Sequence, residues 1–136
     1  MIEIKNIGEY LKSNKIMPSV QRIKIFNYLY TEMNHPTVEK IYKELIDEIP
    51  SLSKTTVYNT LKQFVKKGIV QVINIEDNKT RYDADTSTHG HFKCMSCGML
   101  YDFAFDNSNI KISGIENFDI HQTHLYIKGI CSKCKN

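Results

Sequence analysis

Two cysteine pairs constrain the fold of this chain more than any other feature. Two residues separate Cys94 from Cys97 and Cys131 from Cys134, and 33 residues lie between the pairs. Together the pairs can supply four thiolates to one tetrahedral Zn²⁺, which then joins segments that are distant in sequence. A dithiol redox centre needs only one pair and usually accompanies a βαβ pattern, which this sequence lacks. We therefore predict a structural Zn²⁺ site at these four cysteines.

The length and composition indicate an ordinary globular protein. A chain of 136 residues with 41% apolar residues fits one domain or two small ones. No apolar run approaches the roughly 20 residues that cross a bilayer, and the N-terminal stretch mixes charged and apolar residues, unlike a signal peptide. We expect a cytoplasmic protein with no membrane segment.

The first 83 residues predict four helices and then a two-stranded hairpin. Residues 69–85 are rich in β-branched side chains on both sides of a polar turn at 76–79. Three helices followed by a hairpin is the order of a winged helix. The fold class is therefore predicted as α+β, with a winged-helix domain at 1–83. The predicted helix N-caps are Ser19, Thr37 and Ser53, and the predicted helix ends are Pro50 and Gly68.

Apolar spacing predicts which helix faces are buried. The first helix is short and centred on Ile4, Ile7 and Leu11. The buried face of the second is predicted as Val20, Ile23, Phe26, Tyr30 and Met33. That of the third is Val38, Ile41, Tyr42, Leu45 and Ile49, and that of the fourth is Val57, Leu61, Phe64 and Val65.

The rest of the chain predicts a linker and a small second domain. The small polar residues of 84–90 predict a hinge, and 91–136 predicts a domain of short strands near 92–93, 99–105 and 124–130, with a short helix at 108–117. About 50 residues are few for a stable core, so this α/β domain needs the zinc site or a partner chain.

Positive charge is concentrated in the first part of the chain. Residues 1–83 hold 13 Lys and Arg against 10 Asp and Glu, whereas 84–136 holds five of each. The fourth helix and its borders carry four lysines and no acid, which suits contact with phosphates. Many surface helices also show such a polar face. Its place before the hairpin favours DNA binding, because the corresponding helix of helix-turn-helix proteins enters the major groove.

A second group of metal-ligand side chains surrounds the linker. His89 and His91 are two residues apart, so both imidazoles project to one face of an extended segment. Asp83 precedes the linker, and Asp102 lies in a predicted strand. Spacing alone leaves open whether these residues bind a metal or belong to a solvated polar linker.

Six blocks of sequence together resemble the ferric uptake regulator (Fur) family of bacterial metal-dependent repressors. They are SVQRIKIFNYL, HPTVEKIYKEL, LSKTTVYNTLKQFVKKGIV, RYD, HGHFKCMSCG and GICSKC, and they cover nearly the whole chain. The resemblance implies an N-terminal winged helix, a hinge and a C-terminal α/β dimerisation domain. It also implies a homodimer that binds double-stranded operator DNA and is not an enzyme.

Within that family the chain is most similar to the peroxide-sensing PerR branch. The iron-sensing branch has Glu where this chain has Asp102, and it has ligands where this chain has Thr88 and Gly90. The resemblance implies a repressor that senses peroxide through iron-catalysed oxidation of ligand histidines and then releases its operator. The implied Fe²⁺ or Mn²⁺ ligands are His35, Asp83, His89, His91 and Asp102.

The resemblance also assigns contacts with DNA. It places the bases of the operator against the fourth helix, with phosphates bound by basic residues around it. The residues implied to face bases are Tyr58, Thr55, Thr56 and Asn59, and those implied to contact phosphates are Lys54, Lys62, Lys66 and Arg22.

Three other functions stay open at this point. The first is a Fur-like or Zur-like repressor that responds to iron or zinc level alone. The second is a metallohydrolase that uses the histidine and aspartate site, although the sequence offers no identifiable general base for it. The third is a thiol redox protein that uses the cysteines. His121 and His124 are one residue away from where many relatives carry a histidine, and we expect them to be surface or packing residues.

Overall fold

Capping side chains fix where the helices begin. The computed structural model describes residues 3–135. Ser19, Thr37 and Ser53 each accept a hydrogen bond from the backbone N–H three residues later, so the predicted N-caps are confirmed. The α-helices of the described part of the chain are α1 (Ile7–Ser13), α2 (Val20–Glu32), α3 (Val38–Leu45) and α4 (Lys54–Lys66).

Within residues 3–135, five strands form two separate sheets. The predicted hairpin is present as an antiparallel pair, with Gln71 opposite Asp83. In the other sheet the central strand pairs antiparallel with one neighbour and parallel with the other. The strands are β1 (Gln71–Glu76), β2 (Lys79–Asp83), β3 (Gly90–Cys94), β4 (Leu100–Phe103) and β5 (Tyr126–Gly129), and the second sheet has the order β4-β3-β5.

The contacts within the chain divide it into two units, Met1–Ser87 and Thr88–Asn136, which we call the N-terminal and C-terminal units. Their boundary falls within the stretch 84–90 that the sequence marks as a hinge, and the hinge itself stays a prediction. Met1, Ile2 and Asn136, the ends of the two predicted domains, lie outside the described residues.

The N-terminal unit has a continuous apolar core. The ring of Phe26 on α2 meets that of Phe64 on α4 edge to face, with centroids 5.6 Å apart. Ile41 from α3 and Leu61 from α4 are completely buried in the same cluster, and Tyr82 from the hairpin joins it. Burying such side chains contributes about 1.5–3 kcal/mol each. The core therefore packs α4 and the hairpin together in winged-helix fashion.

The C-terminal unit buries far less. Among its described residues only Gly90, His91, Cys94 and Cys131 are buried, while large apolar side chains such as Phe118 lie at the surface. The sheet therefore depends on something other than an apolar core. No helix within residues 3–135 is long and apolar enough to span a membrane.

The predicted faces of α2 and the end of α3 need correction. Val20 is 67% exposed, and the buried residues of α2 are Ile25, Phe26, Tyr28 and Leu29. The helix ends one residue earlier than the pattern suggests, because Met33 takes a left-handed conformation (φ 48°). Helix α3 ends at Leu45, before Pro50, yet Ile49 stays buried because its N–H bonds the carbonyl of Leu45 in a following turn.

The predicted helix at 108–117 is wrong. A single 3₁₀ turn occupies Asn107–Asn109, where the Asp106 side chain accepts a hydrogen bond from the Ser108 N–H. Residues 110–125 form neither helix nor strand. The β-branched isoleucines of this stretch disfavour a helix, and Gly114 adopts a positive φ of 98° that interrupts one.

Candidate metal centres and DNA interface

The four cysteines converge in the C-terminal unit. Cys94 ends β3, and Cys131 follows β5, which pairs in parallel with β3 so that Gly129 lies opposite Cys94. One Sγ from each cysteine lies within 4.8 Å of the other three, and Cys97 and Cys131 are 3.9 Å apart. Thiolates about 2.3 Å from one zinc lie roughly 3.8 Å apart. The group therefore fits a tetrahedral zinc site, and all four thiols are free of disulfides.

The surroundings of the four cysteines change their thiol pKa values in opposite directions. The N–H groups of Cys97 and Cys131 each donate to Cys94 Sγ over 3.4 Å, and they lower the pKa of Cys94 to about 6. In contrast, the hydrogen bond with Cys131 raises the pKa of Cys134 to about 12. Four clustered thiols thus cannot all ionise readily by themselves, whereas a divalent cation at their centre would stabilise four thiolates.

Three further side chains of metal-ligand type meet on the sheet of the C-terminal unit, and we call them the C-terminal trio: His89, His91 and Asp102. His91 and Asp102 are directly opposite each other on β3 and β4. Asp102 Oδ1 lies 3.4 Å from His91 Nε2 and 3.9 Å from His89 Nε2. The two imidazole centroids are 4.6 Å apart. Both histidines therefore reach the same carboxylate, as their two-residue spacing predicts.

Gly90 separates the two histidines for a steric reason. It lies opposite Phe103, and a Cβ at this position would come within 2.3 Å of the Phe103 ring. A ligand side chain therefore does not fit there while Phe103 keeps its place. The close approach accounts for a glycine between the two ligand-type histidines.

The N-terminal unit holds a second pair, His35 and Asp83, which we call the N-terminal pair. Both side chains are buried, and His35 Nε2 lies 3.5 Å from Asp83 Oδ2. The other carboxylate oxygen, Oδ1, accepts a hydrogen bond from the Asp85 N–H at 2.8 Å, which orients the carboxylate. Nitrogen and oxygen ligands of one ion at roughly 2.1 Å have comparable separations of about 3–4 Å. The distances within the N-terminal pair and within the C-terminal trio each fit part of the ligand set of one metal ion.

Hydrogen bonds from β2 hold the loop that carries His35. The Tyr82 N–H donates to the Pro36 carbonyl and Arg81 Nη1 donates to the His35 carbonyl, each over 3.0 Å. Sequence reasoning did not select Arg81. A signal that could have indicated it is the opposite charge of Arg81 and Glu76 on the two predicted strands, since these side chains form an ion pair.

Helix α4 presents the predicted DNA-contact face to solvent. Tyr58 is 49% exposed, whereas Leu61 and Phe64 of the same helix are buried. The amino group of Lys54 lies 5.7 Å from the centre of the Tyr42 ring. The predicted contact residues that are exposed on α4 are Lys54, Thr55, Tyr58, Asn59, Lys62 and Lys66.

Two other predicted DNA contacts have partners inside the protein. Thr56 is half-buried, and its hydroxyl lies 2.9 Å from that of Ser53, the N-cap. Arg22, also half-buried, donates from Nη1 to the Met17 carbonyl at 2.7 Å. These two residues have less freedom to contact DNA than the exposed face of α4.

His121 and His124 lie at the surface. His124 Nε2 is 3.4 Å from Gln122 Oε1, and its ring is 5.8 Å from that of Tyr126. Neither histidine belongs to a group of converging ligand atoms among the described residues. Their placement agrees with the expected surface or packing role.

Comparison with known proteins identifies the relatives of this chain. The model of the ferric uptake regulator family matches residues 13–134. The peroxide operon regulator of Bacillus subtilis is 35% identical over 135 residues, which cover 97% of this chain and 93% of that protein.

Two solved structures are also similar. The ferric uptake regulator of Vibrio cholerae superposes with a TM-score of 0.71 at 27% identity, covering 93% of this chain and all of that one. PerR of Streptococcus pyogenes superposes with a TM-score of 0.55 at 29% identity, covering 96% and 92% of the two chains. The predicted α+β class is confirmed, and the chain belongs to the ferric uptake regulator family.

Proposed function

We propose that this protein is a homodimeric, metal-dependent repressor that binds operator DNA through α4 and releases it when peroxide oxidises its ligand histidines. The observation that carries the proposal is the presence of two partial sites of matching chemistry. The N-terminal pair and the C-terminal trio each place nitrogen and oxygen donors 3.4–3.9 Å apart. Family membership supports a regulator of transcription.

We infer from the resemblance to the family that these five side chains bind one ion together. His35 and Asp83 come from the N-terminal unit, and His89, His91 and Asp102 come from the C-terminal unit. Three imidazoles and two carboxylates without a thiolate suit Fe²⁺ or Mn²⁺ better than structural Zn²⁺. The cysteines bind the zinc instead.

Shared ligation gives the regulatory site its effect on DNA binding. Each unit contributes ligands, so their simultaneous binding fixes the orientation of the winged helix relative to the dimerisation domain. The two α4 helices of a dimer must meet major grooves about 34 Å apart, and a fixed orientation removes an ordering cost from that encounter. Operator affinity therefore rises with metal occupancy.

Peroxide reverses this effect at the imidazoles. Fe²⁺ held by these side chains would supply the one-electron reduction of peroxide, whereas Mn²⁺ would occupy the same ligands without that chemistry. His35 and His89 are then the residues that accept an oxygen atom, because an oxidant of this kind reacts close to where it forms. An oxidised imidazole is a weaker donor, so the units lose their common ligand set. The peroxide regulator of Bacillus subtilis, at 35% identity, supports this response over one to metal level alone.

Metal-dependent operator binding tests the proposal. We expect Mn²⁺ to raise the affinity of the zinc-loaded dimer for its operator by roughly 10- to 100-fold, which is the usual range of coupling between two sites. The operator is selected from random duplex DNA by the Mn²⁺-loaded protein, and affinity is measured by fluorescence anisotropy. Asp102→Ala should abolish the Mn²⁺ effect.

Asp119→Ala is the matched control, because Asp119 is another exposed acid of the C-terminal unit and lies outside the trio. It should respond to Mn²⁺ like the unaltered protein. Operator binding that ignores Mn²⁺, or an Asp102→Ala variant that keeps the full response, would contradict the proposed regulatory site.

The exposed face of α4 gives a second prediction. Tyr58→Ala should weaken operator binding by about tenfold and leave binding to random DNA unchanged, since a base contact carries sequence information. Lys62→Ala should weaken both and reduce the slope of affinity against salt by about one. Anisotropy titrations at several salt concentrations measure these effects.

Lys12→Ala serves as the control, because Lys12 is an exposed lysine on α1. It should leave both affinities and the salt slope unchanged. An equal loss on operator and random DNA for Tyr58→Ala would refute a base-reading role for this tyrosine.

A further inference from the structure

The backbone at His35 has an unusual conformation. Its φ of 51° lies in the left-handed region, which residues other than glycine seldom adopt. The following residue is Pro36, and a residue before proline favours an extended conformation. A conformation that is disfavoured for both reasons persists only when surrounding contacts hold it. The loop of His35 therefore needs contacts that hold it in this conformation.

Strand β2 supplies two of them. The Tyr82 N–H bonds the Pro36 carbonyl, and Arg81 Nη1 bonds the carbonyl of His35 itself, both over 3.0 Å. Because β2 also ends at Asp83, one strand carries the carboxylate of the N-terminal pair and braces the loop that carries the imidazole. Both partners of the 3.5 Å contact between His35 and Asp83 are thus attached to β2.

The same guanidinium reaches into the hairpin. Arg81 Nε donates to Oε1 of Glu76, the last residue of β1, and only 21% and 12% of the two side chains are exposed. The pairing of β1 with β2 is irregular between Ile73 and Glu76, so regular pairing alone does not fix Glu76. The rigid fork of arginine serves both acceptors at once, which a lysine ammonium does poorly.

We propose that Arg81 is a positioning residue that couples the wing, the β1–β2 hairpin, to the regulatory metal ligand His35. The inference rests on the proposed function and deepens it. Arg81 sets the affinity for the metal by holding His35 beside Asp83. Coupling is reciprocal, so a metal that fixes His35 also favours the conformation in which Arg81 holds Glu76. Metal binding then orders the turn of the wing, in addition to orienting the two units.

Two substitutions separate the steps. Arg81→Lys keeps the positive charge and removes the forked guanidinium. We expect about a tenfold loss of Mn²⁺ affinity, the lower end of the losses typical when a residue that hydrogen-bonds a metal ligand is replaced. Glu76→Gln leaves Arg81 on His35 and weakens its hold on the wing. It should change Mn²⁺ affinity less and still remove the effect of Mn²⁺ on the wing.

The experiment uses the full-length zinc-loaded dimer. Calorimetry gives the affinity for Mn²⁺, and amide hydrogen exchange of a peptide covering residues 74–82, with and without Mn²⁺, reports order in the wing. Glu48→Gln is the matched control, because it removes an ion pair with Lys24 in the same unit, at 3.3 Å. In the unaltered protein and this control, Mn²⁺ should slow exchange in the wing.

The outcomes distinguish this inference from the proposed function. If the unaltered protein does not bind Mn²⁺, or if bound Mn²⁺ does not change its affinity for the operator, the proposed function fails. If it does, but Arg81→Lys keeps the same Mn²⁺ affinity or the same slowing of wing exchange, the role of Arg81 is overturned. Thermal unfolding checks that the variants are folded at the assay temperature. If Arg81→Lys is unfolded there, Glu76→Gln replaces it, and a Glu76→Gln variant with unchanged slowing of wing exchange overturns the inference.

Discussion

Replacing Cys97 by serine is expected to release the zinc and unfold the C-terminal unit. Cys97 is exposed, and exposed substitutions usually change stability by no more than about 0.5 kcal/mol. A structural zinc contributes far more, about 10–16 kcal/mol in small zinc-dependent peptides. The described part of this unit buries little besides two of the cysteines, Gly90 and His91. We therefore expect β3, β4 and β5 to lose protection against amide exchange and the dimer to dissociate.

Ser132→Ala is the matched control, since Ser132 is exposed between the last two cysteines. Zinc content after dialysis against a chelator, sedimentation velocity and amide exchange compare the two variants. The control should keep one zinc per chain and remain a dimer. A folded Cys97→Ser dimer that keeps its zinc, or unaltered protein with four readily alkylated cysteines, would contradict the zinc assignment.

Local signals were sufficient for the elements whose chemistry is carried by neighbouring residues. Ser53 caps α4, and Leu61 and Phe64 are buried on the predicted side of that helix. The two cysteine pairs meet because β3 and β5 run in parallel, and a shared metal is a strong reason for distant pairs to converge. The turn of the hairpin lies within the polar stretch that the sequence marks.

Other features depend on contacts that no local pattern contains. His35 approaches Asp83 through a left-handed backbone and hydrogen bonds from β2, so spacing could not select it and only the family resemblance did. The helix predicted at 108–117 does not form, because the β-branched isoleucines of this stretch and Gly114 oppose a helix. No local pattern indicates Arg81, because the carbonyl that accepts its hydrogen bond belongs to His35, which is 46 residues away in the sequence.

The Fe²⁺-loaded protein is expected to lose its operator after one equivalent of peroxide. We propose that His35 and His89 carry the response, because each is a proposed ligand and oxidation lowers the capacity of an imidazole to donate to a metal. Under the proposed ligation, loss of His35 would release the N-terminal unit from the metal, and loss of His89 would weaken the trio around Asp102. Operator affinity should then fall by roughly 10- to 100-fold, to the level of protein without regulatory metal.

The chain contains internal controls for this reaction. His121 and His124 are exposed and lie outside both groups of ligands, so oxidation confined to the site should leave them unmodified. Met17, which is 77% exposed, reports oxidation by free peroxide. Mn²⁺-loaded protein treated in the same way should retain its operator and its unmodified histidines.

The most direct test of the peroxide response combines peptide mass spectrometry with operator binding on the same anaerobic, Fe²⁺-loaded sample, before and after one equivalent of peroxide. We predict the mass of one added oxygen atom on the peptide containing His35 or that containing His89, in proportion to the fraction of protein released from DNA. Release of the operator with both histidines unmodified, or oxidation found only on cysteines, would contradict peroxide sensing and leave a repressor that responds to metal level alone.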